Sequence, residues 1–471
     1  MLKKEITLFD ATMLVAGTMI GSGIFIVSAD MSRQLGSSGY LLLAWIITGV
    51  ITMAGALSYG ELSSMFPGSG GQYVYLKEAY GKLMAFLYGW TLFTVIQTGT
   101  IAAVGVAFAK FLGVFLPSVN DTYSFLSIGF VKVTPLKLVA ISVIVFLSYI
   151  NTKGVKYGKW IQNIFGSTKI IAIILLIVLG LFVGMNAEVI SRNFDNMWSA
   201  QKASDLGIET LSGFALVLTI GTAMAGSLFS SDAWNNISFA GDEIINPKRT
   251  IPMSLAIGTG LVTLIYLLVN LVYLFVLPVL GSPEGQNVFE RGIQYATNDR
   301  VATAVAEQIG GGTMVYVMAA LIMVSTFGCN NGCILSGARV YYAMANDKLF
   351  FKGLAKLNKN QVPANALWMQ CVWASLLCLS GSYGNLLDYV MFAVLLFYIF
   401  TIAGVFILRK KMPDAERPYK AFAYPYLPML YIALVSVVVL IILTQKPEYT
   451  LPGLGIILLG VPVYYLMKNK I

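Results

Sequence analysis

Apolar runs long enough to cross a bilayer recur along nearly the whole chain, and this pattern leaves room for little besides a membrane-embedded helical bundle. They fall at 8–34, 39–66, 83–116, 134–151, 160–184, 208–240, 252–280, 312–345, 363–381, 384–408, 424–444 and 449–467. Read as helices, they make an all-α membrane protein with twelve transmembrane spans. The composition agrees, being 57% hydrophobic and only 11% charged, against roughly 45–50% and 25% in soluble globular chains. The longest links, at 116–134, 185–207 and 281–311, are too short to fold as independent domains, so any function belongs to the bundle.

Charge orients the bundle and excludes some partners. The net charge is +9, from 31 Lys+Arg against 22 Asp+Glu, but the basic residues sit in short links with no soluble module to present them to nucleic acid. With a cytoplasmic N-terminus, twenty of them lie on the inner side, from Lys3 and Lys4 to Lys468 and Lys470, and eight on the outer side. That bias predicts an integral plasma-membrane protein (inner membrane in a Gram-negative cell) with both termini in the cytoplasm. The basic links at 153–159 and 409–420 serve topology, with membrane lipids as contacts. No cleavable signal is expected, because the first apolar stretch follows Met-Leu-Lys-Lys-Glu without a small-residue cleavage pattern.

The absence of histidine removes Ser-His dyads, HExxH metalloproteases and histidine proton relays together. Cys329, Cys333, Cys371 and Cys378 all lie inside apolar runs without a C-x-x-C spacing and are read as small packing residues. No metal and no cofactor is expected.

Two spans are interrupted. Gly17-Thr18-Met19-Ile20-Gly21-Ser22-Gly23 places three glycines in seven positions about ten residues into the first span, where each costs roughly 1 kcal/mol of helix relative to alanine. A break there exposes backbone amides at membrane depth, and the dipole of the second half-helix suits an anionic group. Close helix packing by small residues is the alternative. In the sixth span, Gly226-Ser227-Leu228-Phe229-Ser230-Ser231-Asp232-Ala233-Trp234 sets a carboxylate within a polar cluster, and an intramembrane acid is a functional candidate by default. A break near Ser231 offers carbonyls at the negative end of a helix dipole, a receptor for an ammonium group. The alternative makes Asp232 the buried partner of a hydroxyl or of Lys169. Five spans separate the breaks, the layout of two inverted five-helix repeats, 1–184 and 208–409, with a two-helix addition at 424–471.

Lys169 lies nine residues past Trp160, ~14 Å along the helix and close to mid-membrane. It needs partners there, and backbone carbonyls of the broken first helix are one structural answer. Glu61, toward the inner end of the second span, is assigned to inner gating or to helix anchoring. Arg339 in the eighth span is read as a snorkelling or gate-pairing residue.

In combination these stretches resemble a known family. Gly17 to Phe25 closely resembles the first-helix signature of the amino acid–polyamine–organocation superfamily, especially its L-type amino acid transporter branch. Leu57-Ser58-Tyr59-Gly60-Glu61-Leu62, Phe229 to Asn235, Asn246-Pro247-Lys248-Arg249 and Phe327 to Tyr342 are similar to its later motifs, so the resemblance runs to about residue 420. It implies a LeuT-like fold and a secondary amino acid transporter working by alternating access. The substrate carboxylate would rest on the backbone of Ile20, Gly21, Ser22 and Gly23, and its amine on carbonyls at Phe229 and Ser230. Phe229 would act as an aromatic lid and Trp234 as a gating residue, while packing remains the alternative for both. Many relatives have small residues where this chain has Asp232 and Ala233, and an acid there occurs in some that accept cationic amino acids.

A lysine matching Lys169 stands, in relatives, where sodium-driven members hold an ion, which implies sodium independence. Amino acid exchange and proton symport both remain open. Animal relatives join a heavy chain through a cysteine between the third and fourth spans; the link around Asn120 has none, so a stand-alone microbial protein without a disulfide-linked partner is expected. A channel and an intramembrane enzyme are the competing classes. No Thr-Val-Gly-Tyr-Gly filter or charged ring supports the first, and no acid paired with Asp232 supports the second.

Overall fold

A computed structural model gives the architecture. It describes residues 4, 6–68, 70–128, 131–204, 207–381 and 383–468, and of 128, 131, 155–167, 203–204, 207–208 and 468 the backbone alone. Lys3 and Lys470, counted to the inner side from the sequence, lie outside the described residues.

The first span is two helices, α1 (Leu8–Met19) and α2 (Gly23–Leu35), bent by 41° at the break between them. Thr7 and Asp10 start α1 with a reciprocal capping box, which satisfies amide groups the first turn leaves orphaned. Next come α3 (Ser38–Met65), the short α4 (Gln72–Tyr80), and a third span made of α5 (Lys82–Thr91), a π-helical turn (Leu92–Ile96) and α6 (Gln97–Leu112). Side chains take up carbonyls of the π turn: Tyr341 donates to Leu92 O at 3.3 Å and Trp373 to Thr94 O at 2.9 Å. A link carries strands β1 (Leu126–Ile128) and β2 (Val131–Val133), antiparallel with Leu126 opposite Val133.

Pro135 in the first turn, behind the capping Thr134, opens α7 (Pro135–Thr152). Then follow α8 (Val155–Phe182) and α9 (Ala187–Phe194). Strands β3 (Gln201–Ser204) and β4 (Gly207–Thr210) pair antiparallel, Gln201 opposite Thr210. Both hairpins lie in links, so they add to the all-α bundle without entering it.

The sixth span is α10 (Gly213–Ser230), an irregular turn, and a 3-10 segment over Trp234–Glu243. Then come α11 (Pro247–Val276), a short α12 (Val288–Arg291), and α13 (Val301–Asn346), interrupted at Gly310 and Gly311. The chain ends with α14 (Ala364–Ser380), α15 (Tyr383–Lys411), α16 (Tyr426–Gln445) and α17 (Pro447–Lys468).

Nine helices among the described residues are long and apolar enough to cross a membrane, and two bent pairs raise that to eleven. The twelfth expected span, 363–381, is α14, which is apolar but only 17 residues long. At 1.5 Å per residue it reaches ~26 Å, slightly short of a ~30 Å hydrocarbon layer. Leu264, Leu376, Leu440 and Leu459 stand exposed on their helices; a surface so apolar belongs in lipid, and the chain is an integral membrane protein. Inside, α1 packs on α11, α10 on α2, and α13 on both α6 and α8. Both broken spans are therefore enclosed. Ile6 pairs with Ile244 where α1 begins, and Tyr464 packs on Phe86 near the start of α5; this side is called the terminal face below.

Candidate functional site

The interruptions in the two spans face each other. α1 ends at Met19 and α2 begins at Gly23, leaving Ile20, Gly21 and Ser22 between them. α10 ends at Ser230, and Ala233 takes a left-handed conformation (φ 66°) before the 3-10 segment. Thr18 Oγ1 donates to Ala233 O at 3.0 Å, and Tyr266 Oη lies 3.0 Å from both Met19 O and Ser230 O. A β-carbon on Gly23 would lie 2.1 Å from Ser230 Oγ, so only glycine admits this approach.

Backbone carbonyls freed at the end of α1 all have partners. Lys169, fully buried in α8, donates from Nζ to Gly17 O and to Ile20 O, the latter at 3.2 Å. Cys329 Sγ lies 3.7 Å from Thr18 O, and Tyr266 serves Met19. This is the arrangement in which the lysine reaches carbonyls of the broken helix, and Asp232 is not its partner. The amide side of the break differs. Ser22 sits at the N-cap of α2 but makes no cap bond; its hydroxyl pairs instead with Tyr383 Oη at 3.0 Å. The Phe25 amide turns to Ser22 O at 3.2 Å, while those of Gly23 and Ile24 lack the side-chain acceptor that Thr7, Ser37 and Thr134 supply to α1, α3 and α7 and keep capacity for an anion.

In the sixth span, Phe229 is buried, its ring edge-on to Tyr383 at 6.3 Å, and its carbonyl accepts the Asp232 amide at 3.2 Å. The Ser231 amide, shared among the carbonyls of Ser227, Leu228 and Phe229, is directed at it too. Ser230 is more committed, its hydroxyl donating to Gly226 O at 2.9 Å. Asp232 accepts from Tyr398 Oη at 2.7 Å, which makes a hydroxyl its observed partner. Trp234 stacks on Tyr398 at 5.0 Å and meets Tyr59 edge-on at 5.1 Å. Beside this cluster a cavity is walled by Asp232, Asn236, Gln97, Thr100, Cys333 and Tyr398, and Asn236 Nδ2 is buried without a partner.

Glu61 stands apart. Thr48 of α3 bonds Ser227 beside the breaks, and Glu61 is thirteen residues on, about 20 Å along the helix toward the terminal face. Only 1% exposed, Glu61 accepts Arg409 at 2.9 and 2.6 Å and the Ala421 amide at 2.7 Å, with Arg417 3.4 Å away. Arg339 pairs with Glu243 at 3.0 Å. On the opposite face, Asp299 bridges Arg33 at 2.8 Å and Lys110 at 3.2 Å. Lys110 is therefore at the end of its helix rather than deep in a span.

Sequence reasoning missed Tyr266, Tyr383, Tyr398, Gln97 and Thr100. A tyrosine in an apolar run looks the same whether its hydroxyl meets lipid headgroups or a broken helix, and no local signal separates the two.

The Bacillus subtilis (strain 168) serine/threonine exchanger SteT is 32% identical over 474 residues, covering 100% of this chain and 98% of that protein. The large neutral amino acids transporter small subunit 2 of Mus musculus is 30% identical over 466 residues, 99% of this chain and 81% of the relative. The human b(0,+)-type amino acid transporter 1 is 29% identical over 477 residues, 99% and 88% respectively. The amino acid permease family model matches residues 6–459, and with two broken spans that face each other in the fold, the chain belongs to that family.

Proposed function

We propose that the chain is a sodium-independent amino acid exchanger that works by alternating access. The observation that carries this reading is Lys169: its ammonium already occupies the carbonyls of Gly17 and Ile20, the kind of oxygen donors a sodium ion would need. A fixed charge there favours exchange, in which each opening of the site is tied to a bound substrate. Relatives named as an exchanger and as amino acid transporters support the substrate class.

In this reading the substrate carboxylate rests on the backbone of Ile20, Gly21, Ser22 and Gly23, and its ammonium on the carbonyl of Phe229 near Ser230, in competition with the amides directed there. Phe229 covers the site, Asp232 with Tyr398 borders the side-chain end, and Glu61 and Trp234 belong to closure on the terminal face. The two five-helix repeats are 1–184 and 208–409, with 424–471 as the addition, and both termini lie in the cytoplasm. The chain works without a disulfide-linked heavy chain and carries out transport, not catalysis.

The test is purified protein in liposomes, in sodium-free buffer, with labelled L-serine, L-threonine, L-leucine and L-lysine. Uptake is expected only into vesicles loaded with unlabelled amino acid. Uptake into empty vesicles driven by external acid would replace exchange with proton symport, and no sodium-free uptake of any of the four would overturn the reading.

A further inference from the structure

Tyr383, the first residue of α15, is 4% exposed and touches three parts of the molecule at once. Its hydroxyl holds Ser22 at the first break, at 3.0 Å. Its ring meets Phe229 of the sixth span edge-on, at 83° between planes. Over the same ring, 5.6 Å from its centre, stands the Lys110 ammonium, which is also 3.2 Å from Asp299. Asp299 in turn holds Arg33 of α2, and Arg33 donates to Gln294 O at 2.7 Å. Arg300 closes the circuit by donating to Lys110 O at 3.2 Å.

We propose that Tyr383 is the positioning residue of the gate on the face opposite the termini, transmitting the state of the Arg33–Asp299–Lys110 cluster to the backbone break at Ser22. This rests on the alternating-access reading above. α2 cannot swing from α15 without breaking the Ser22 bond, and the ring cannot leave Phe229 without leaving Lys110. A cation over an aromatic face is held by the ring quadrupole, more strongly where water is scarce. The second consequence concerns Ser22 itself. While Tyr383 holds its hydroxyl, that oxygen does not cap α2, so the Gly23 and Ile24 amides stay available; when the gate opens, the freed hydroxyl can turn back and cap Ile24. Opening toward this face and weakening of the anion site are then one event.

Cys329 against the first break is a built-in reporter. In a background of Cys333→Ser, Cys371→Ala and Cys378→Ala, its alkylation by a membrane-impermeant maleimide is followed in right-side-out and inside-out vesicles. Tyr383→Phe, which removes only the hydroxyl, is expected to speed alkylation about fivefold, the worth of one hydrogen bond, from the Asp299 face alone. Tyr383→Leu is expected to exceed it, and Lys110→Met to fall between Tyr383→Phe and the parent. An unchanged rate in Tyr383→Phe, or acceleration from both faces, would overturn the proposal. In the same vesicles, amino acid exchange by Tyr383→Phe should show a raised KM on the Asp299 side with an unchanged KM on the other, a split that general loosening would not produce. Failure of the parent protein to exchange any amino acid would sink the transport reading, while the alkylation order would still decide the gate.

Discussion

At the scale of the residue, the two breaks are held by contacts with no slack. Gly23→Ala drives a methyl into Ser230, and overpacking of this kind costs about 1–3 kcal/mol. Exchange is expected to vanish while the protein still inserts. Gly455→Ala, where nothing lies within 4 Å, is the control expected to behave as wild type, both judged by uptake and by thermal unfolding in detergent. Lys169→Met strips the donors from Gly17 O and Ile20 O, and two lost charge-assisted bonds should lower exchange about tenfold or more. Initial rates in loaded liposomes check it, and wild-type rates would show the lysine to be dispensable. These positions were legible in the sequence because glycine, lysine and aspartate are costly in a bilayer and so conspicuous there. Their tyrosine partners were not: Tyr266, Tyr383 and Tyr398 carry ordinary membrane side chains, and nothing local marks which hydroxyls turn inward.

Elements joined by ion pairs form a latch on each face. On the terminal face Glu61 ties α3 to α15 and to the link that follows it, through Arg409, Arg417 and the Ala421 amide. Glu61→Gln leaves Arg417, 9% exposed, beside a neutral group. Breaking a buried pair from one side costs about 3–5 kcal/mol, and the lower figure is expected here because Arg409 is 25% exposed. A melting temperature unchanged from wild type would refute that. On the other face burial raises the Asp299 carboxyl, but Lys110 and Arg33 outweigh it and hold the group below the ordinary carboxylate value. Because the folded-state value is depressed, the latch is at full strength above an ordinary value of about 4 and is lost only as pH falls through the lower folded one. The ratio of Cys329 alkylation from that face in Asp299→Asn to that in the parent, which cancels the thiol's own titration, should therefore stay above one and flat from about pH 8 to about pH 5. Glu61 was readable as a buried acid with an anchoring or gating role. Neither its arginine partners nor Asp299 was, because pairs formed by residues hundreds of positions apart leave no local pattern. The π turn in the third span was equally silent, since its residues Leu92–Ile96 fit an ordinary helix.

Over the whole molecule, hydropathy carried the fold. Every expected apolar run is helix over most of its length, and the departures come at its ends: α14 is short, the third span ends at Leu112 rather than 116, and strand β4 takes the start of the expected 208–240 run, so that the sixth span begins at Gly213. Cys329, Cys333, Cys371 and Cys378 are buried and free. The purified protein is therefore expected to migrate identically with and without reductant and to exchange at the same rate in both. A reductant-sensitive band would reveal a covalent partner. One contact between the broken spans has a consequence of its own. Tyr266 lies at equal distance from Met19 O and Ser230 O, yet a phenol carries a single hydrogen. Two oxygens in different moving parts compete for one proton, so when the parts separate the tyrosine can follow only one of them. The oxygen it abandons is left with an open lone pair in the middle of the membrane, where an unmet acceptor is costly, so the hydrogen of one phenol ties the two broken spans to a single arrangement.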